Sequence, residues 1–242
     1  MILFLDTRIH SRKDVEGAVS VPFLGEIPQD KKQKKAKHGK QQVVVSEQDD
    51  DMVSEAFRIL RTNMAFMARK DRPMQVITFT SFNEGAGKTF IARNLAMSLI
   101  YAKKRVVLVD LDIRKHTLSH HVSQSKIGVT NYLADPSITV DEIIHPSHNH
   151  KHMDVIVAGT MAPNPAELLM DQRLDQLMDE LRQRYDYIIA DSVPVGIIAD
   201  ATITNRIADL TMFVVRAGKL DRRQLPDLEN LYQEKKLNNM AL

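Results

Sequence analysis

The chain predicts an α/β fold: a mostly parallel central sheet with helices on both faces. Three observations carry that expectation. Apolar runs of strand length at 74–81, 105–112, 153–160, 185–192 and 209–218 are continuously rather than alternately apolar, the pattern of strands buried on both faces. Stretches with helical spacing at 88–101, 166–184, 200–207 and 222–236 alternate with them, as parallel strands joined by crossover helices require. Third, the Gly-containing turn "NEGAGKT" (83–89) lies where the first strand ends and the first of these helices begins.

Residues 1–50 differ in texture from the rest. "VSVPFLGEIPQ" (19–29) is a short apolar patch with Pro22 and Pro28, and "DKKQKKAKHGKQQ" (30–42) is a polar run too poor in apolar groups to offset chain entropy, which predicts a mobile linker. From Asp50 the composition changes. Met52, Phe57, Leu60, Met64 and Met67 recur at helical spacing behind an acidic start, predicting an amphipathic helix. The expected organisation is a mobile N-terminal segment and linker over 1–50 and one main domain over 51–242.

Composition narrows the function. The 242 residues are 43% hydrophobic, enough for a globular core, and the net charge of +2 makes no case for nucleic acid as a partner. The absence of Cys removes disulfide frameworks and thiolate metal sites. No apolar run reaches the ~18 residues of a membrane span. "ILFLDTRIH" (2–10) reads equally as the exit of a spanning helix or as a plain apolar start.

The turn at 83–89 raises the question of a phosphate-binding loop. The usual pattern places Gly where this chain has Phe82. Gly85 and Gly87 stand where the backbone must approach phosphates without a Cβ, and inward-pointing amides at a helix start bind anions. The candidate nucleotide set is therefore Asn83, Glu84, Gly85, Ala86, Gly87, Lys88, Thr89 and Phe90. Lys88 should reach the β and γ phosphates of ATP or ADP, and the Thr89 hydroxyl should ligate Mg²⁺.

Open parallel sheets bind ligands at the C-terminal ends of their strands, where carboxylates should gather. Asp191 follows "YIIA", and Asp110 and Asp112 follow "VVLV". Asp110, Asp112 and Arg114 are two apart and would share a face if the strand continued. Three such charges fit a metal–phosphate centre better than a core. Histidines at 116 and 120, and in "HPSHNHKH" (145–152), have spacings that Zn²⁺ allows, but a polar His-rich loop is more often simply solvated.

In combination, "GAGKT", then "VLVDLDIR" as a Walker A′ motif and "IIADSVP" as Walker B, resembles the bacterial BY-kinases, P-loop tyrosine kinases linked to exopolysaccharide and capsule assembly. The resemblance covers about 52–242. It implies a MinD/ParA-like P-loop NTPase fold and an autophosphorylating protein-tyrosine kinase using ATP and Mg²⁺. In that reading Lys88, Asp110, Asp112 and Arg114 are catalytic, Asp110 being general base or outer metal-shell carboxylate. Thr89, Asp112 and Asp191 hold the metal, and Arg216 and Gly218 of "VVRAGKLDRRQL" lie near the adenine.

Upstream, Glu55, Arg58 and Arg61 fit the family's E-x-x-R-x-x-R motif for contacts in a ring-shaped homo-oligomer, an octamer being one form. Bottom-up, the same stripe also reads as an ordinary wet helix face. "DTRIHSRKDVEGAVSVPFLGEIP" (6–28) resembles the cytoplasmic exit of a Wzz-type chain-length determinant. The implied protein is the cytoplasmic part of an inner-membrane protein, with anionic lipid under the Lys run. Its implied partners are a polysaccharide polymerase and export machinery and a phosphotyrosine phosphatase. The family's C-terminal tyrosine cluster has no counterpart after Tyr232, and "MAL" (240–242) reads as the start of a further strand, so a shortened C-terminus is expected. Two rivals remain: a MinD/ParA-type ATPase switch, which usually carries Lys where this chain has Asn83, and a non-catalytic nucleotide-bound scaffold.

Overall fold

The computed structural model describes residues 6–29, 43–47, 51–68, 73–147, 150–195 and 203–242, apart from the side chains of His121 and Lys151. Among them seven strands form one sheet: β1 (Val76–Thr80), β2 (Val106–Asp110), β3 (His145–Ser147), β4 (His150–Ile156), β5 (Tyr187–Asp191), β6 (Leu210–Phe213) and β7 (Met240–Ala241). The order is β3-β4-β2-β5-β1-β6-β7. Every pairing is parallel except that of β3 with β4 at one edge.

The two-sided burial expected of the apolar runs is realised. On one face α2 (Met52–Phe66) and α3 (Lys88–Tyr101) pack Phe57, Leu60, Met64, Leu95 and Leu99 against Ile77, Phe79, Leu108 and Ile189. On the other face α5 (Val129–Ala134), α7 (Pro165–Met170) and α8 (Gln172–Arg184) pack Leu133, Leu169, Leu174 and Leu181 against Val76, Val107, Val109 and Ile188. Neighbours along a strand therefore serve opposite cores, and no alternation survives. The start of α2 is fixed by Asp51, whose side chain accepts from the N–H groups of Val53 and Ser54.

Elsewhere the elements depart from expectation. The helix predicted over 166–184 breaks at Asp171, which leaves helical geometry (φ −62°, ψ 143°) to accept from Arg173 N–H and cap α8. The stretch at 222–236 begins as a 3₁₀ turn over Arg222–Gln224, and the α-helix proper, α9 (Leu225–Gln233), starts with Pro226 in its first turn, where Pro is tolerated. The run at 209–218 is a strand only through Phe213. The short helices α1 (Lys13–Glu16), α4 (Ser119–Val122) and α6 (Val140–Ile143), with β3 and α5, had no counterpart in the sequence reading. Of 200–207, residues 203–205 are helical and 200–202 lie outside the described residues. The "MAL" start of a strand is β7, parallel to β6.

Residues 6–29, expected to belong to a mobile segment, are instead docked on the α/β body, because their apolar side chains find a cluster to join there. Ile9, Val15, Val21 and Leu24 are buried, the first three with Phe213, Leu220, Leu228 and Met240. Ile9 exchanges backbone hydrogen bonds with Leu220 and Gly218 (2.9 and 2.7 Å), and Pro22 and Leu24 bracket Leu242 (2.8 and 2.7 Å). The Lys-rich run expected to be a mobile linker lies outside the described residues. No described helix is long and apolar enough to cross a membrane.

Candidate active site

The loop after β1 has the geometry of a phosphate cradle. Gly85 and Gly87 take left-handed conformations (φ 67° and 106°), and Gly87 is the N-cap of α3, so Lys88 opens the helix. Phe82, the departure from the usual Gly, is half-buried and packs edge-on against Phe213 with ring centroids 4.9 Å apart. It anchors the loop on the sheet and leaves Gly85 and Gly87 to shape the cradle. The Ser81 hydroxyl donates to Asn83 O (2.8 Å) and Asn83 Nδ2 donates to Gln224 Oε1 (3.4 Å). Glu84 pairs with Lys115 beyond β2 at 2.5 Å, and this contact lowers the Glu84 pKa. The Phe90 ring lies edge-on to Phe57, 6.1 Å away.

The strand ends bring the expected carboxylates together. Asp110 and Asp191 are register partners on the adjacent strands β2 and β5 and are essentially fully buried. Thr89, in the first turn of α3, donates its hydroxyl to Asp191 Oδ2. Asp191 Oδ1 is buried without a hydrogen-bond partner. Lys88 is itself buried; desolvation lowers its pKa, opposed by the charges of Asp191, Asp112 and Glu84. Burial, helped by the charge of Asp112 at Asp110 and by that of Asp110 at Asp191, pushes both up to about 7.

Asp110, expected as general base or outer metal-shell carboxylate, has both of its oxygens hydrogen-bonded. Its Oδ2 accepts from Ser119 N–H (2.8 Å) and Ser119 Oγ (2.6 Å), and its Oδ1 accepts from Asp112 N–H (3.1 Å). Both oxygens are thus held within the chain, and Ser119 Oγ in turn accepts from Ala158 N–H (2.8 Å). The shared strand face expected for Asp110, Asp112 and Arg114 does not form, because β2 ends at Asp110 and the chain turns. Asp112 is turned inward, with Oδ1 accepting from Lys115 N–H (3.1 Å), while Arg114 is exposed.

Beside the loop lies a cleft of about 620 Å³ lined by Ala86, Gly87, Phe90, Val214, Val215 and Arg216, and closed by Ile9–Arg12 and Phe23–Gln29 without Leu24. Arg216 donates from Nη1 to Gly85 O (2.8 Å), and Gly218 makes the following turn at φ 75°. The sequence reading missed Lys115, Ser119 and Gln224, which hold Glu84, Asp110 and Asn83. Lys115 adjoins Arg114 and was within its reach; the other two carry no local signal.

The motif stripe on α2 divides. Glu55 and Arg58 pair with each other at 3.0 Å on the helix surface. Arg61, expected with them at a subunit contact, turns instead to α3, where its Nη1 donates to Ser98 O and Ser98 Oγ. Among the described histidines, the rings of His150 and His152 lie 5.6 Å apart, with His150 edge-on to Tyr101; His148 lies outside the described residues.

The residues fit a nucleotide with Mg²⁺. An unpartnered buried carboxylate oxygen beside a hydroxyl supplies the hard donors that Mg²⁺ takes, and the left-handed Gly87 caps the helix that carries that hydroxyl. Among the described residues no group of three or more His, Cys, Asp or Glu side chains is arranged to hold a metal alone.

An AAA-domain family model matches residues 74–234. The tyrosine-protein kinase YwqD of Bacillus subtilis (strain 168) is 35% identical over 183 residues, which cover 75% of this chain and 76% of that one. The putative tyrosine-protein kinase EpsB of Ralstonia solanacearum is 34% identical over 168 residues, but these are 22% of its longer chain. Among solved structures, the BceF tyrosine kinase domain superposes with a TM-score of 0.82 at 31% identity, covering 97% of this chain and 98% of that one. The septum site-determining protein MinD of Pyrococcus horikoshii OT3, complexed with Mg-ADP, is more distant: TM-score 0.56, 18% identity, 69% and 68% covered, a likeness of fold alone. With its phosphate loop, paired strand-end aspartates and these relatives, the chain belongs to the AAA-domain family, among the bacterial tyrosine-protein kinases.

Proposed function

We propose that the protein transfers the γ-phosphoryl group of MgATP to tyrosine hydroxyls, itself or its neighbours being one substrate, within the machinery that polymerises and exports exopolysaccharide or capsule. One observation carries the site: Thr89 and Asp191 are hydrogen-bonded beside buried Lys88, with Asp191 Oδ1 left for a cation. When bound, Mg²⁺ offsets the charge on the phosphate oxygens that Lys88 and the loop amides of 83–89 also face. The cleft bordered by Phe90 and Arg216 has room for the base.

Hydrogen bonding supports a division of labour. Asp110, with both oxygens committed to Ser119 and Asp112, fixes the turn after β2. Asp112, with Asp191 and Thr89, faces the metal–phosphate centre and is the acceptor for the phenolic proton of tyrosine, whose unperturbed pKa near ~10 requires one. Arg114, at the rim, orients the incoming segment. Glu55 and Arg58 contribute to the contacts of a ring-shaped homo-oligomer, and residues 1–50 connect the domain to an inner-membrane anchor, so that the domain is cytoplasmic. A phosphotyrosine phosphatase reverses the modification.

The ATPase-switch alternative is disfavoured by Asn83, which occupies the place of that group's usual Lys and engages Gln224. The test is phosphate transfer from radiolabelled ATP to a Glu-Tyr copolymer in the presence of Mg²⁺. Lys88→Met should lower it by ~100-fold or more. Undiminished transfer would refute this site, and ATP binding without phosphotyrosine would favour the scaffold reading.

A further inference from the structure

The turn after β6 carries two cations to one glycine. Arg216 donates to Gly85 O, and a Cβ added at Gly85 would stand 2.8 Å from Lys219 Nζ. The turn that places them is built. Gly218 reverses the chain at φ 75°, the N–H groups of Lys219 and Leu220 both bond to Arg216 O (3.0 and 3.3 Å), and Leu220 is buried as an anchor. The backbone pairing of Gly218 and Leu220 with Ile9 holds the turn from outside.

Lys219 is exposed, and no described carboxylate pairs with it; the acid of the loop, Glu84, is taken by Lys115. Two like charges gathered on one backbone unit repel each other unless an anion lies between them. The loop they meet has left-handed Gly85 and Gly87 at a helix start, the backbone geometry that binds phosphate. It also lacks a second lysine of its own, since Asn83 stands where the nucleotide switches of this fold keep one.

We propose that Lys219 is a nucleotide-binding residue that contacts the phosphate chain from the rim of the loop, a cation delivered by the turn after the neighbouring strand β6, with Arg216 holding the loop in place beneath it. This rests on the nucleotide reading above. It also gives Gly85 a second reason to be glycine: a side chain there would displace the ammonium group.

The test is the dissociation constant for ADP with Mg²⁺, by calorimetry, for the full chain. Lys219→Ala should weaken ADP binding about tenfold, the value of one charge-assisted hydrogen bond. Lys219→Arg should restore most of it, and the melting temperature of the free protein should not move. ADP affinity within twofold of the parent would overturn the proposal, as would a loss that follows a lowered melting temperature and is not rescued by Arg. If Lys88→Met loses ADP while Lys219→Ala keeps it, this proposal fails and the nucleotide site stands. If the parent chain binds no ADP, both fall.

Discussion

Thr89 and Asp191 lie 102 residues apart in the chain and share a hydrogen bond that occupies one oxygen of a fully buried carboxylate and leaves the other without a partner. A carboxylate so placed is costly to the free protein and useful only when a cation meets it. Asp191→Asn should therefore leave the free protein at least as stable at pH 8. It should abolish the added stabilisation that Mg²⁺ gives to the ADP complex. Melting curves with ADP, with and without Mg²⁺, read both effects; an intact Mg²⁺ increment would count against Asp191 as ligand.

The same burial sets a pH dependence. Asp110 and Asp191 have folded pKa values raised to about 7 from an ordinary value of 3.8. Between these limits the folded state holds more protons than the unfolded one, so stability falls as pH rises from about 4 to about 7 and then levels. Without nucleotide and in a chelator, the melting temperature should be higher at pH 5 than at pH 8. A rise with pH across that interval would contradict the reading.

Phe82 tests whether the unusual loop is a defect. Phe82→Gly restores the common pattern but removes a half-buried ring from its edge-on contact with Phe213. We expect a loss of about 2 kcal/mol in urea unfolding and no gain in ADP affinity. Tighter nucleotide binding would mean that the first glycine matters more than packing.

Gly128 has an extended backbone, so its side chain is excluded by space alone. A Cβ would stand 2.0 Å from Val157 O, where the N–H groups of Val129 and Thr130 cross to Val157 and Ala158. Gly128→Ala should cost about 3 kcal/mol, at the upper end for overpacking, because the obstacle is backbone. Chemical denaturation provides the check, and a neutral substitution would show that this crossing can shift.

The α2 stripe separates by readout. Arg61→Ala removes the ties to Ser98 and should destabilise the fold by about 1 kcal/mol, given the half-buried setting of the guanidinium. Glu55→Lys and Arg58→Glu, on the exposed side, should change the sedimentation of the protein if the proposed ring forms, while leaving stability within about 0.5 kcal/mol. Equal destabilisation by all three would assign the whole stripe to the fold.

Residue type and spacing alone were enough to reveal the five principal strands, α2, α3, the phosphate loop and the strand-end aspartates. Each of these is written in contiguous residues: apolar runs, an acidic helix start, Gly-Lys-Thr after a strand. What stayed hidden depends on partners far along the chain. The inward turn of Arg61 needs Ser98, the commitment of Asp110 needs Ser119 and the path beyond β2, and the docking of residues 6–29 needs the edge that β6 and β7 expose. The break at Asp171 belongs to the same group, since a carboxylate free to cap or to continue a helix is decided by what the flanking turns pack against. Local periodicity measures how a segment divides between water and core; which polar group meets which is settled only when strands from distant parts of the chain are laid side by side.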